Sequence, residues 1–453
     1  MMTFIEEKVM PKAMKLSQNK YLGSVSDGFM MLMPVLIIGS IFSLLNNLAL
    51  PWYQEMISAT GLKGLLGIPN LVTNDMLAVY AVFFIAYALA KRLNRDQGVA
   101  GMIALFSFLA VTPFGNLGVA IQTFVTDNGL SVPDGLEISG GNFLPLEWLG
   151  AKGLFVAIFV GLISAKIYDS LLAKNLMIKM PDSVPPTISK SFAGLMPGFA
   201  SILFFILIDR CVALVPVAQV SGIQTGIYHL IQSPMENFLG NNIWSFIFAA
   251  FAAQFLWSLG IHGMSAIILP IFYPLWTSLN NANIEALNRG VSVYELPNIL
   301  NRSFWQVYVI AGGSGVTLGL CLYMVFWAKS KQYKTIGKLA VVANICGINE
   351  PLIFGLPIVL NPLLIVPFIL SPIVMAVLAY GLTVMEILPR LTTIVPLGTP
   401  IIMSGFISTA SGGWRVALFQ VLIIILGAII YLPFVRLLDQ KAIALEQLAE
   451  EGK

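Results

Sequence analysis

The chain has 453 residues, of which 57% are hydrophobic and only 10% charged, with a formal net charge of +3. A soluble globular surface is usually about a quarter charged, so a soluble fold is excluded, and so small a net charge gives no reason to expect a nucleic-acid partner. Apolar runs of about 20 residues recur, the length at which a helix crosses a bilayer. A transmembrane barrel would show short alternating segments instead. The fold class is therefore an all-α polytopic membrane protein.

In chain order, the opening MMTFIEEKVMPKAMKLSQNKYL has no secretory pattern and reads as an amphipathic, lysine-bearing helix on a membrane surface. Ten crossings follow, at 28–48, 75–92, 97–117, 152–172, 191–216, 243–260, 264–281, 304–328, 363–386 and 414–435. The seventh is interrupted by Pro270 and Pro274. With the N-terminus inside, most basic residues fall on one side. They are Lys8 to Lys20, then Lys91, Arg92 and Arg95, then Lys166 to Lys190, Lys329 to Lys338, and Arg436 to Lys453. Such a bias marks the cytoplasmic face and predicts cytoplasmic termini. The stretch 174–190 forms either a small hairpin or a plain connector. Asp209-Arg210, at the end of the fifth crossing, reads as a local interfacial pair. The expected organisation is a first half over 1–240, a second half over 241–440 and a cytoplasmic tail over 441–453.

Two stretches do not read as simple spans. Leu256 to Pro274 holds Gly260, His262, Gly263 and two prolines; Ala343 to Pro367 holds Gly347, Pro351, Gly355, Pro357 and Pro362. Broken helices at membrane depth are tolerated where they line a cavity or are buried in protein, and in transporters they often mark the substrate site. Glu350 lies in the second stretch, with no other charged residue between Lys338 and Glu386. A charge at bilayer depth costs roughly 2.5–3.5 kcal/mol even on lenient scales, so Glu350 is either a functional group or a structural charge with a buried partner. A carboxylate accepts strong hydrogen bonds from sugar hydroxyls. His262, between two glycines in LWSLGIHGM, can exchange hydrogen bonds with a hydroxyl or simply pack. Asn349 and Asn344 suit sugar recognition, since amides both donate and accept, or cap the broken helix. Trp257 could stack on a pyranose face or only pack. His229 has no assigned role. Cys211, Cys321 and Cys346 show no metal spacing and read as small buried hydrophobes. No phosphate-binding loop, HExxH motif or His/Cys cluster is present, so neither metal nor cofactor is expected.

The string GINEPLIFGLPIVLNP resembles the signature of the lactose, N,N′-diacetylchitobiose and cellobiose IIC permeases of bacterial sugar phosphotransferase systems. DGFMMLMP at 27–34, MIKMPDSVPPTISKSF at 177–192, LWSLGIHG at 256–263 and GGSGVTLGL at 312–320 are similar to that family in the same order, so the resemblance spans essentially the whole chain. It implies a ten-helix homodimer of the inner membrane. The first half would make the dimer contact, and the second half, with two re-entrant hairpins, would bind a disaccharide. The family's sugar-contacting glutamate and histidine fall on Glu350 and His262. The implied role is the translocation subunit of a phosphotransferase complex, with phosphocysteine on a separate IIB protein, a separate IIA protein, and no phosphorylated residue on this chain. One departure stands out: Leu397, in IVPLGTPIIMSGF, occupies the place of an expected tryptophan. Cellobiose and other β-glucosides are therefore the first expectation, with lactose and oligomannosides behind. The residues alone leave open an ion-coupled secondary sugar transporter, and a membrane sensor without transport.

Overall fold

Where almost every position of a long segment is apolar, a helix satisfies its own backbone and can face protein or lipid on any side. The computed structural model follows this rule and describes residues 11, 14–15, 18–127, 140–181, 183–217, 219–240, 242–356, 358–359 and 361–451. The expected surface helix at the N-terminus lies largely outside the described residues.

The principal helices are α1 (Lys20–Met31), α2 (Met33–Asn47), α3 (Pro51–Ala59), α4 (Leu62–Val72), α5 (Leu77–Arg92), α6 (Gln97–Ala110), α7 (Leu117–Asp127), α8 (Leu154–Ala173), α9 (Pro186–Ala193) and α10 (Leu195–Ala213). They continue as α11 (Ile243–Ser258), α12 (Tyr273–Asn288), α13 (Leu318–Phe326), α14 (Lys331–Ile345), α15 (Glu350–Gly355), α16 (Pro362–Val384) and α17 (Gly413–Glu451). Among the described residues, strand structure is confined to one two-residue antiparallel pair, Gly115–Asn116 with Asn142–Phe143. The all-α membrane class is thus observed. Five helices among the described residues are long and apolar enough to cross a membrane, or up to eight if each bent pair is one span. Two expected crossings take another form. The one at 97–117 is the 14-residue α6. The one at 264–281 begins as wide π-type turns over Met264–Phe272, which contain Pro270 and pass directly into α12. A proline has no N–H to give an ordinary helical ladder.

The chain divides into two compact units, residues 27–32 with 72–234, and residues 1–26, 33–71 and 235–453. In the first, α5, α6, α8 and α10 pack through small residues, as membrane helices do when backbones approach closely. Ala78, Ala81, Ala86, Ala88 and Ala90 are fully buried. Ser201 joins the helices by hydrogen bonds to Ser107 at 3.0 Å and Ser164 at 3.1 Å. Asp96 caps α6 by accepting from Val99 N at 3.1 Å and pairs with Lys190. The Val99 N–H, aided by Lys190, holds the Asp96 carboxyl below the usual carboxylate range. The 174–190 connector thereby ends in α9, tied down at Lys190 rather than free. Asp209 does not pair with its neighbour Arg210: it accepts from Ile223 N at 2.8 Å, because adjacent helical residues point in different directions. Cys211 is exposed on α10 instead of buried, whereas Cys321 is buried and Cys346 half-buried. The outer face of a membrane helix is itself apolar, so hydropathy does not tell core from periphery there.

The second unit is built around an aromatic core. Trp276 of α12 lies 4.2 Å from Phe246 of α11 and 4.9 Å from Trp305, ring centre to ring centre. Beside it, Arg302 is buried with its guanidinium 4.5 Å from the Tyr273 ring centre, a cation–π contact that offsets part of its desolvation.

Between α16 and α17 the chain runs through residues 385–402 without regular structure, and its carbonyls are met by side-chain amides. Asn280 donates to Thr392 O at 2.7 Å, Asn283 to Leu391 O at 3.1 Å, Asn301 to Leu391 O at 2.8 Å and Gln306 to Val395 O at 2.6 Å. Asn283 also exchanges two hydrogen bonds with the Asn298 backbone. Buried Gln420 of α17 accepts from Ile402 N and Gly405 N and donates to Val307 O.

Leucine at position 283 would strip the side-chain partner from Asn298 N and Asn298 O, and leave Leu391 O with Asn301 alone. Each unmet buried group costs roughly 1–3 kcal/mol, so Asn283→Leu should lower the thermal midpoint of detergent-purified protein markedly; an unchanged melt would remove the asparagines from this structural role.

Candidate functional site

The site forms where α11 stops. Gly260 takes a left-handed φ of +80°, which a residue with a side chain rarely adopts, and the chain reverses there. A Cβ on Gly263 would collide with the Ala253 carbonyl, so the returning strand can lie against α11 only as glycine. This double constraint sets His262 at the start of the next helical turns, its carbonyl accepting from Ala266 N at 3.0 Å. The imidazole Nδ1 lies 3.2 Å from both Ser265 N and Ser265 Oγ. A backbone N–H can only donate, so Nδ1 carries the lone pair and the neutral ring holds its proton on Nε2. His262 is exposed and presents that Nε2–H as a donor.

Trp257 packs on the imidazole at 4.4 Å between ring centres, tilted by 47°, and is only 4% exposed. Its ring backs the histidine and offers no open face here. Phe354 of α15 lies 6.5 Å from Trp257.

Glu350 arrives from the second broken stretch. α14 ends at Ile345, and Gly347, with φ +77°, turns the chain. Asn349 precedes α15, and Glu350 is its first residue. Its carboxylate is near enough for its charge to act on the His262 ring. Oε2 is buried and has no hydrogen-bond partner among the described residues.

The two asparagines make hydrogen bonds within the protein. Asn349 is 3% exposed and donates to Ser314 O at 2.6 Å and Thr317 Oγ1 at 2.7 Å. Asn344, fully buried, donates to the same Thr317 Oγ1 at 3.3 Å. Asn349 ties the broken stretch to the Gly-Gly-Ser-Gly turn at 312–315, and both asparagines hold Thr317 just beyond it. Gly313 has φ +91°, and a Cβ there would run into the Asn349 side chain. Sequence reasoning missed Ser265, Thr317 and this seat. The available signal was a glycine cluster at membrane depth.

Of the five residues singled out, then, Trp257 packs on His262, the charge of Glu350 reaches the His262 ring, and Asn344 and Asn349 are held by Thr317. The loop bearing Leu397 is tied near the same stretch, with Ile401 N donating to Ile345 O at 2.9 Å. Leu397 itself is 57% exposed.

A family model described as "Phosphotransferase system, EIIC" matches residues 26–372. The chain belongs to this EIIC family. The lichenan permease IIC component of Bacillus subtilis is 36% identical over 96% of this EIIC chain and 93% of its own length. The cellobiose-specific EIIC component of Geobacillus stearothermophilus is 36% identical over 98% and 95% respectively. The crystal structure of the IIC transporter of an N,N′-diacetylchitobiose-specific system superposes with a TM-score of 0.87 at 32% identity, covering 98% of this EIIC chain and 99% of that one. As an EIIC component the chain is a bacterial membrane sugar permease that works with IIA and IIB partners.

Alanine at Gly313 would combine a left-handed backbone with a clash, strain of roughly 1–3 kcal/mol. Gly313→Ala should therefore lower the thermal midpoint and weaken sugar binding together; a variant as stable as the parent would show that Asn349 does not depend on this seat.

Proposed function

We propose that this permease accepts a β-linked disaccharide, cellobiose or a close relative, and presents its primary hydroxyl to a phosphocysteine on the IIB partner. The observation that carries the reading is the buried Glu350 oxygen, without a protein partner among the described residues, whose charge reaches the ring of the exposed His262 and its Nε2–H donor. An acceptor and a donor brought together on broken backbone are what a sugar hydroxyl needs. The similarity to cellobiose-specific and lichenan components favours β-glucosides.

In the proposed step, Glu350 orients the hydroxyl and takes its proton as the oxygen attacks phosphorus. The S–P bond of phosphocysteine breaks as the O–P bond forms, and cysteine leaves as thiolate. His262 donates to the sugar through Nε2–H. The added charge then keeps the product inside. Further parts of the proposal are cytoplasmic termini, a homodimer held by the first half, and a second half that carries the sugar. Asn349 and Asn344 act on the sugar through the position they give Glu350.

Glu350→Gln keeps the shape and an acceptor but cannot take a proton. Vesicles bearing it, supplied with phosphoenolpyruvate and the general phosphotransferase proteins with IIA and IIB, should lose sugar phosphorylation by roughly a hundredfold or more while the protein remains folded. Near-normal phosphorylation, or accumulation of unmodified sugar driven by a proton gradient, would overturn the reading. Leu397→Trp adds a stacking surface worth roughly 0.5–1.5 kcal/mol and should reorder the disaccharide preference in a radiolabel binding panel; an unchanged order would separate position 397 from the sugar.

A further inference from the structure

Away from the site, α13, the residues just after it and α17 line a groove of about 570 Å³. Two chemistries divide its lining. Ile429 and Leu432 of α17 supply an apolar floor, continuous with the outer face of the span. Above them stand Lys329, Arg436 and Gln440, flanked by Tyr323 and Trp327, whose rings lie nearly parallel with centres 6.4 Å apart. Trp327 is 66% exposed.

The one carboxylate in the groove does not cancel the basic charge directly. Asp439 is buried, and its two oxygens accept from Lys329 N and Ser330 N, each at 2.9 Å. Among the described residues neither the Lys329 ammonium nor the Arg436 guanidinium is held in an ion pair.

The geometry points to a binding site for one anionic glycerophospholipid, its phosphate between Lys329 and Arg436 and its acyl chains along Ile429 and Leu432. Charge complementarity selects the headgroup, and an exposed aromatic pair beside it is of the kind that favours a membrane interface. Basic pockets between helices on the cytoplasmic side suit phosphate headgroups. A free phosphate would use the two cations but gain nothing from the apolar floor. The inference does not depend on the sugar site.

The test reconstitutes the full chain in vesicles of equal phosphatidylglycerol and phosphatidylcholine, and counts lipids retained after purification by native mass spectrometry. Wild type should retain phosphatidylglycerol preferentially, and Lys329→Gln with Arg436→Gln should reduce that preference by roughly fivefold per cation. Glycerol phosphate should not displace the lipid. Equal retention of both lipids by the wild type, or displacement by glycerol phosphate, would overturn the proposal. So would a double variant that keeps its lipid preference but loses phosphate transfer from phospho-IIB, which would reassign the groove to the protein partner. Should the double variant not fold, brominated phosphatidylglycerol should quench wild-type tryptophan fluorescence more than brominated phosphatidylcholine, with Trp327→Phe removing the difference; equal quenching would likewise overturn the site.

Discussion

Backbone N–H and C=O groups held away from water must each find a partner, and the second unit is organised around meeting that demand outside helices. A regular helix meets it automatically. The stretch 385–402 cannot, so Asn280, Asn283, Asn301 and Gln306 offer their amides to its carbonyls, while Gln420 takes two of the following N–H groups. Because this stretch also reaches Ile345 through Ile401, the same network steadies the segment that delivers Glu350. Stability and function are therefore joined through polar side chains in a chain that is otherwise mostly apolar.

The site inherits its precision from two reversals built on glycine. One, at Gly260, turns the chain so that His262 opens a new helix with Ser265 fixing its tautomer. The other, at Gly347, brings Asn349 onto the Gly313 turn, and Glu350 follows one residue later. Neither side chain sits in the middle of an uninterrupted span, where a charge would have only lipid or side-chain methyls around it. Each stands at the first turn of a helical segment, close to backbone N–H groups that helices leave unpaired at that end.

The broken spans, Glu350 and His262 were legible because charge, imidazole and clustered glycine are rare in so apolar a sequence. The resemblance to IIC permeases was legible for the same reason, since its motifs coincide with those interruptions. The asparagine network was not. Asn280 and Asn283 look merely polar on their own helix, and their carbonyl partners lie more than a hundred residues downstream. Asn344 and Asn349 were read as sugar ligands or caps, and their engagement with Thr317 depends on a turn whose geometry no local pattern reveals. Around Pro270 a span takes wide turns that an apolar run does not announce, nor does it announce that Cys211 is exposed, because lipid-facing and core-facing surfaces share one composition.

Leu397 occupies a tip whose fold is secured elsewhere, by the Thr399 N to Pro396 O turn and by the Ile401 tether. A surface-exposed side chain on an independently anchored backbone can be exchanged with little folding penalty. A side chain at 397 can therefore change the chemistry of that surface without disturbing the backbone turns at Gly260 and Gly313.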